Sequence, residues 1–389
     1  QADLHALYGG AVTLSASRMD MARSCHFAYF MRYGLKARER TGAGFDAPQI
    51  GTFVHDVMEH TLRQAKECGG LHTLSKDKLH ALVRASIEEY IDRVLPDLCE
   101  KSARFRYLFN RLCATVERIM DEVSEELQSS DFEPLAFELA FGADGQLPAI
   151  TIREENGTAR VVGKVDRVDG WLHDGKLYLR VVDYKTGKKS FDLAELRYGL
   201  GLQMLLYLFT LKEEGQMLFG GHEIVPAGVL YTPAREPMLR CARDTEPETI
   251  EKALKKELRR SGMVLEDPAV LQAMEHSALE SPCYLPIAVK RDGAVTGSLA
   301  SAEQLGKLSK YVDHILHEIT QEVFAGNIDA DPYARTPQQS ACTYCEFASA
   351  CHFENGCGSD RMEYIKATKN DEFWQYIDEV NGEGAHENG

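Results

Sequence analysis

Val161-Val162-Gly163-Lys164-Val165-Asp166-Arg167-Val168-Asp169, then Asp174-Gly175, then Leu179-Arg180-Val181-Val182-Asp183-Tyr184-Lys185: two runs rich in valine lie on either side of a turn signal. The runs predict strands, and Asp-Gly predicts a two-residue hairpin turn. With the turn at Asp174-Gly175, His173 faces Lys176, Asp169 faces Arg180 and Asp166 faces Asp183. Directly opposed residues share a face of the sheet. Two carboxylates therefore meet, while Asp169 and Arg180 form a cross-strand ion pair. Lys185, two residues beyond Asp183, lies on the carboxylate face. Opposed carboxylates are destabilising unless something neutralises them. A divalent cation does so, and oxygen ligands favour Mg²⁺ or Mn²⁺. A lysine beside them can stabilise developing negative charge or help activate a water. The combination suits attack of water on a phosphodiester. The competing reading is a hairpin with its charges solvated, and a slip of one residue would separate the carboxylates onto two faces. Val161, Val165, Val181 and Val182 argue for burial beside the site.

The surrounding chain sets the frame. Its 389 residues predict two domains or one elaborated domain. A content of 44% hydrophobic and 27% charged residues excludes a disordered, collagen-like or coiled-coil chain. The apolar run Met204 to Phe209 stops at Thr210, far short of the ~18 residues of a membrane helix. No basic-then-apolar leader follows Gln1, so the expected location is cytoplasmic. Gln1 in place of an initiator Met predicts a piece excised from a longer chain. The formal net charge of −16 argues against a simple nucleic-acid coat. Residues 1–40, however, balance at +3, which leaves room for a local basic groove. The last nineteen residues carry Asp and Glu but no Lys or Arg, and read as a solvated, frayed end.

Apolar spacing predicts helices over Ser15 to Tyr33, Thr52 to Lys66 and Leu108 to Leu127, with Gly42, Gly44 and Pro48 marking a loop between the first two. Strands are expected over Phe132 to Phe141, Arg160 to Val168, Leu177 to Tyr184 and Ile224 to Thr232. Asp192 to Leu211 reads as helix, and Gly199 and Gly201 within it suggest a close packing partner. From Ile250 onward the pattern is helical, with a long helix from Ala302 to Phe324. The outline is a small α/β core between two helical arms: 1–130 as an N-terminal arm carrying Cys25 and His55, 131–240 as the core, 241–357 as a C-terminal arm, and 358–389 as an acidic tail.

Of the ten cysteines, Cys68, Cys99, Cys113, Cys241 and Cys283 are scattered and read as ordinary thiols. Cys342-x2-Cys345-x5-Cys351 is tightly spaced and needs a fourth ligand. Cys25 and Cys357 compete for that place, and spacing alone does not choose between an iron–sulfur cluster and zinc.

Asp166 followed by Asp183-Tyr184-Lys185 resembles the signature of PD-(D/E)xK nucleases. Gly51-Thr52-Phe53-Val54-His55 resembles the GxxxH motif of the RecB-type branch, and Gln203 with Tyr207 resembles its QxxxY motif. The order and separations agree. Leu14 to Arg18, Tyr29 to Arg32, Asp192 to Tyr207 and Gly262 to Val270 extend the likeness over nearly the whole chain, to the C-terminal nuclease domain of the AddB family of helicase–nuclease subunits. The resemblance implies a PD-(D/E)xK restriction-endonuclease-like α/β fold, a mixed sheet flanked by helices. It implies His55, Asp166, Asp183 and the Tyr184 carbonyl as Mg²⁺ or Mn²⁺ ligands, Lys185 as catalytic lysine, and Gln203 and Tyr207 as residues that hold DNA or order the site. It implies that Cys25, Cys342, Cys345 and Cys351 carry a [4Fe-4S] cluster joining the two arms. Glu138 is either an outer carboxylate of the site or a surface residue of an edge strand. Arg18, Arg32, Lys36, Lys188 and Lys189 are candidate contacts to the DNA backbone. No phosphate loop of the GxxxxGK[ST] type occurs, so unwinding would fall to an upstream helicase-like region and an AddA-type partner. The expected activity is exonucleolytic cleavage of single-stranded DNA, of the 5′-ended strand, in double-strand-break processing. A DNA-end clamp with little turnover and a stand-alone 5′→3′ exonuclease are the alternatives.

Overall fold

A computed structural model describes residues 7–38, 47–142 and 145–387. Strand β1 (Ala11–Leu14) leads into α1 (Ala16–Ser24), capped by the Ser15 hydroxyl, and a short α2 (His26–Tyr29). The predicted helix to Tyr33 is thus broken at Cys25, whose extended backbone ends α1. Helices α3 (Ala47–Glu67), α4 (Lys76–Val94) and α5 (Ala103–Gln128) pack as a bundle that buries Phe53, Val57, Val83 and Val116. Pro48, expected in a loop, sits instead in the first turn of α3, where a missing N–H costs nothing. Gly42 and Gly44 lie outside the described residues.

The core follows: β2 (Glu133–Phe141), β3 (Ile150–Glu154), β4 (Gly157–Val161), β5 (Gly163–His173) and β6 (Lys176–Lys185). The predicted Arg160–Val168 strand is two strands separated at Val162, and β4 pairs with β1 and β3 in a small sheet of its own. Helix α6 (Leu193–Arg197) and α7 (Gln203–Glu214) replace the single helix expected over Asp192 to Leu211. Apolar spacing runs through the break, but Gly199 and Gly201 adopt φ of 73° and 67° there, which helix does not permit. The close partner inferred at Gly199 is real: a Cβ would lie 2.9 Å from Arg23 Nε and 3.0 Å from Ile315 Cγ2.

Strand β7 (Glu223–Pro233), α8 (Pro247–Leu258), β8 (Ser261–Leu265), α9 (Pro268–Met274), a hairpin of β9 (Ile287–Val289) and β10 (Val295–Gly297), and β11 (Leu299–Ala300) precede the long α10 (Ala302–Ala325). The main sheet has the order β11-β8-β7-β6-β5-β2. The helical reading from Ile250 onward is therefore corrected. Strands β8 and β11 extend the sheet, which is not confined to residues 131–240. Their brevity hid them, because Gly262-Met263-Val264-Leu265 is an apolar run with no period.

Strands β12 (Tyr333–Thr336) and β13 (Gln339–Ser340), α11 (Ala348–Cys351), β14 (Glu363–Tyr364) and α12 (Asn370–Glu387) complete the chain. The end expected to fray is this last helix. It docks on α10, with Phe373 and Ile377 fully buried and Asp378 paired with Lys307.

The two ends of the chain meet. Arg23 pairs with Glu318 and, at 2.7 Å, with Glu322 on α10. Phe27 N–H donates to Asp329 O, and His26 N–H donates to Asp331 Oδ1. Burial pulls the His26 imidazole down, but Asp331 and Glu322 outweigh it and hold its pKa up at about 9. A histidine raised in this way stabilises the fold fully below its unfolded pKa of about 6.5. That contribution is lost as pH climbs through about 9. The gap in unfolding free energy between the wild type and His26→Gln is expected to hold steady below a pH of about 6.5 and to shrink toward pH 9. A gap independent of pH in denaturant titrations would contradict this.

Candidate active site

The hairpin expected from Asp174-Gly175 is present. Both turn residues have positive φ, 49° and 77°, as a type I′ turn demands. The ladder runs from His173↔Lys176 through Asp169↔Arg180 to Arg167↔Val182, the register expected from the turn. One face of it is a buried charge cluster. Asp169 Oδ2 accepts from Arg167 Nη2 at 3.0 Å and from Arg180 Nε at 2.8 Å. Glu126 of α5 accepts from Arg260 at 2.5 and 3.1 Å and lies 3.4 Å from Arg180. Burial opposes the Glu126 carboxylate, yet Arg260, Arg180 and Arg167 hold its pKa down at about 2. Arg167 also donates to the Tyr184 hydroxyl at 2.7 Å.

The other face carries the candidate site. Past the last ladder pair, Tyr184 N–H donates to Asp166 Oδ2 at 2.9 Å. Helix α3 presents His55, whose Nε2 is 2.9 Å from Tyr184 O and whose Nδ1 is 3.3 Å from Asp166 Oδ2. Glu138 falls opposite Asp166, between the pairs Phe137↔Arg167 and Leu139↔Val165. Donor atoms of His55, Glu138 and Asp166 all lie within 4.8 Å of one another. Glu138 reaches this position from a left-handed backbone, φ 49°, and pairs with Lys164. Asp183 stands beside the trio: Lys185 Nζ is 2.7 Å from its Oδ2, and Gln203 Nε2 donates to its Oδ1 at 3.3 Å. Gln203 also donates to the Tyr207 hydroxyl at 3.2 Å. The Tyr207 ring packs on Gly163, where a Cβ would come within 2.5 Å of it. The motif residues His55, Asp166, Asp183, Tyr184, Lys185, Gln203 and Tyr207 are thus brought together.

Electrostatics match the geometry. Burial and the neighbouring Asp166 push the Asp183 carboxyl up to about 6, against the pull of Lys185 and His55. Burial would lower His55, but Asp166, the Tyr184 carbonyl and Asp183 hold it up at about 9. The donor set of carboxylates, imidazole and a backbone carbonyl fits a hard divalent cation.

The basic residues singled out near the N-terminus make contacts of their own. Arg18 lies over the Tyr33 ring and bonds the Thr13 carbonyl, Arg32 pairs with Glu346 at 2.7 Å, and Lys36 is exposed. Lys188 and Lys189 follow directly on the site. Asp20 is a site-supporting residue that sequence reasoning missed. Its Oδ1 accepts from Gly201 N–H at 2.9 Å, just before Gln203, and burial raises its pKa while Lys189 and Lys185 oppose the rise. No motif flags it, because its partner is 181 residues away.

Cys25, Cys342, Cys345 and Cys351 line a cavity of about 430 Å³. Cys357 is exposed and is not among its lining residues. Burial pushes the Cys25 thiol up to about 11. Four cysteines lining one cavity supply the kind of donor that a thiolate-bound metal or cluster needs. The cavity is far roomier than the closed tetrahedron in which four cysteines wrap one zinc ion at about 2.3 Å.

The sequence profile of the PD-(D/E)XK nuclease superfamily matches residues 13–352. The chain is 31% identical over 388 residues, 98% of its length, to the B-type subunit of the ATP-dependent helicase/deoxyribonuclease of Thermoanaerobacter sp. (strain X514), of which it covers 34%. It is 33% identical over 96% of its length to the protein of the same name from Acetivibrio thermocellus, covering 33% of it. Against that of Clostridium botulinum (strain Hall) it is 32% identical over 95%, covering 32%. The chain spans about a third of the length of these curated relatives.

The His55 titration reads the geometry directly. Asp166→Asn removes the nearest charge, so the His55 pKa should fall from about 9 toward or below the ordinary value of about 6.5. An NMR titration of the metal-free protein checks this, and an unmoved His55 would refute the contact.

Proposed function

The chain belongs to the PD-(D/E)XK nuclease superfamily, and from that premise we propose that it is the metal-dependent deoxyribonuclease domain of an AddAB-type helicase–nuclease. The observation that carries the reading is the convergence of Asp166, Asp183, His55, Glu138 and Lys185 at one end of the hairpin. Asp166, Asp183, His55 and the Tyr184 carbonyl would hold the cation. When bound, a divalent cation supplies Lewis-acid polarisation of the scissile phosphate. Lys185 Nζ offers positive charge where the phosphate gains negative charge. Gln203 fixes Asp183 through its amide, and Tyr207 fixes Gln203. The substrate is single-stranded DNA, the 5′-ended strand, cut exonucleolytically during processing of broken duplex ends. An upstream helicase-like region and an AddA-type subunit would deliver it. The setting is cytoplasmic; among the described residues no helix is long and apolar enough to cross a membrane.

Cys25, Cys342, Cys345 and Cys351 would hold a [4Fe-4S] cluster. The exposure of Cys357 and the size of the cavity support this set over a zinc site that includes Cys357. Such a cluster closes a loop of more than three hundred residues, from Cys25 to Cys342, and so removes much of the unfolded chain's freedom.

Digestion of end-labelled single-stranded DNA with Mg²⁺ or Mn²⁺ against EDTA tests the nuclease. Lys185→Ala should lower the cleavage rate by roughly 10²–10³-fold while metal binding, followed by calorimetry, persists. DNA bound but not cut by folded wild-type protein would mark a clamp instead. Cys25→Ala should lower the melting temperature by roughly 5 °C and lower the iron and sulfide content. A melting temperature and iron content unchanged from wild type would remove Cys25 from the set.

A further inference from the structure

A cleft of about 370 Å³ is lined by Lys185 but not by His55, and apart from Lys185 the proposed chemistry makes no use of its lining. Its walls come from four separate elements. Lys188 and Lys189 lie in the loop after β6, Arg235 follows β7, Lys256 stands near the end of α8, and Arg259 precedes β8. Glu257 is the one carboxylate that lines it, and Arg235 neutralises it at 3.2 Å. Lys189 reaches Glu195 at 3.4 Å. Among the described residues, Lys188 and Lys256 have no carboxylate within ion-pairing distance. A second hollow of about 380 Å³ shares Arg259 and Ser261 with the first and continues past Phe191 to the β9–β10 hairpin.

This concentration of positive charge belongs to a chain of net charge −16. Repulsion among the basic groups weakens the fold slightly unless an anion relieves it. Lys185 lines the first hollow, and Arg259 and Ser261 line both, so the basic lining runs from one hollow into the next. A polyanion could lie along both.

We propose that this cleft is the track for the sugar–phosphate backbone of single-stranded DNA on one side of the scissile bond, with Lys188 and Lys256 as phosphate contacts. The proposal rests on the nuclease reading for its substrate. Phosphate contacts of this kind carry affinity and salt dependence without sequence preference.

The test uses the same 389-residue chain and a fluorescein-labelled oligo-dT in EDTA, followed by anisotropy across a salt series. Lys188→Ala combined with Lys256→Ala should weaken binding about tenfold and reduce the slope of log Kobs against log [salt] by about 1.4, at ~0.7 per phosphate contact. Lys252→Ala removes an equal charge from α8 outside the cleft, where Lys252 pairs with Glu248, and should change neither. Far-UV circular dichroism confirms folding, and Lys188→Ala alone, in an exposed loop, carries the test should the double variant unfold. An unchanged slope, or an equal effect from Lys252→Ala, overturns the track. The two readings fail separately. Wild-type protein that cuts DNA while the variants bind normally keeps the nuclease and loses the track. Wild-type protein that binds through the cleft but never cuts keeps the track and loses the nuclease.

Discussion

The register of β5 against β6 is the constraint on which the molecule depends. Strand side chains alternate faces, so a slip by one residue would exchange every side chain between the faces. The slip is opposed from behind the site. Asp169 and Arg180 are directly paired and fully buried, with Glu126, Arg167 and Arg260 around them. Moving either partner would strand buried charge, at a cost of about 3–5 kcal/mol for a broken buried pair. The charges that never meet substrate therefore hold Asp166 and Asp183 on one face. Tyr184 links the two sides. Its hydroxyl accepts from Arg167 behind the sheet, while its N–H and C=O serve Asp166 and His55 in front.

On the front face the problem is reversed. Asp166, Asp183 and Glu138 crowd together, and like charges at such distances repel. The protein's own cations sit among them: His55 beside Asp166, Lys185 on Asp183 and Lys164 on Glu138. On the proposed reading, a divalent cation held by these carboxylates would supply charge that protein cations supply here, and Lys185 would then be free to face a phosphate. The left-handed backbone of Glu138 points the same way, since strain of this kind, of order 1–3 kcal/mol, persists only where surrounding structure enforces it.

Legibility in the sequence follows the range of the interactions. The β5–β6 hairpin can be read because its turn, register and carboxylates lie within twenty-five residues, Val161 to Lys185. Gln203 and Tyr207 can be read because helical spacing puts them on one face. Strands β8 and β11 cannot, because their places in the sheet depend on pairing with β7 and with each other. Glu138 stays ambiguous since no tight turn joins β2 to β5, so its position opposite Asp166 has no local signal. Counting charge misjudges the terminal helix: Phe373, Trp374 and Ile377 anchor it, and three apolar side chains outweigh a solvated acidic face.

Helix α1 joins the cysteine cavity to the candidate active site. Its C-cap is Cys25, in the cavity wall, and one and a half turns earlier Asp20 accepts the Gly201 N–H at the break before Gln203. Between them Arg23 is fixed to Glu318 and Glu322 and fills the space that the absent Cβ of Gly199 leaves. A nine-residue helix is stiff over that distance. Cys25 and Asp20 share this one helix, and Asp20 holds Gly201 just before α7, where Gln203 donates to Asp183. The contact between the chain's two ends is thus continuous, through α1, Asp20 and Gly201, with the helix whose Gln203 donates to Asp183.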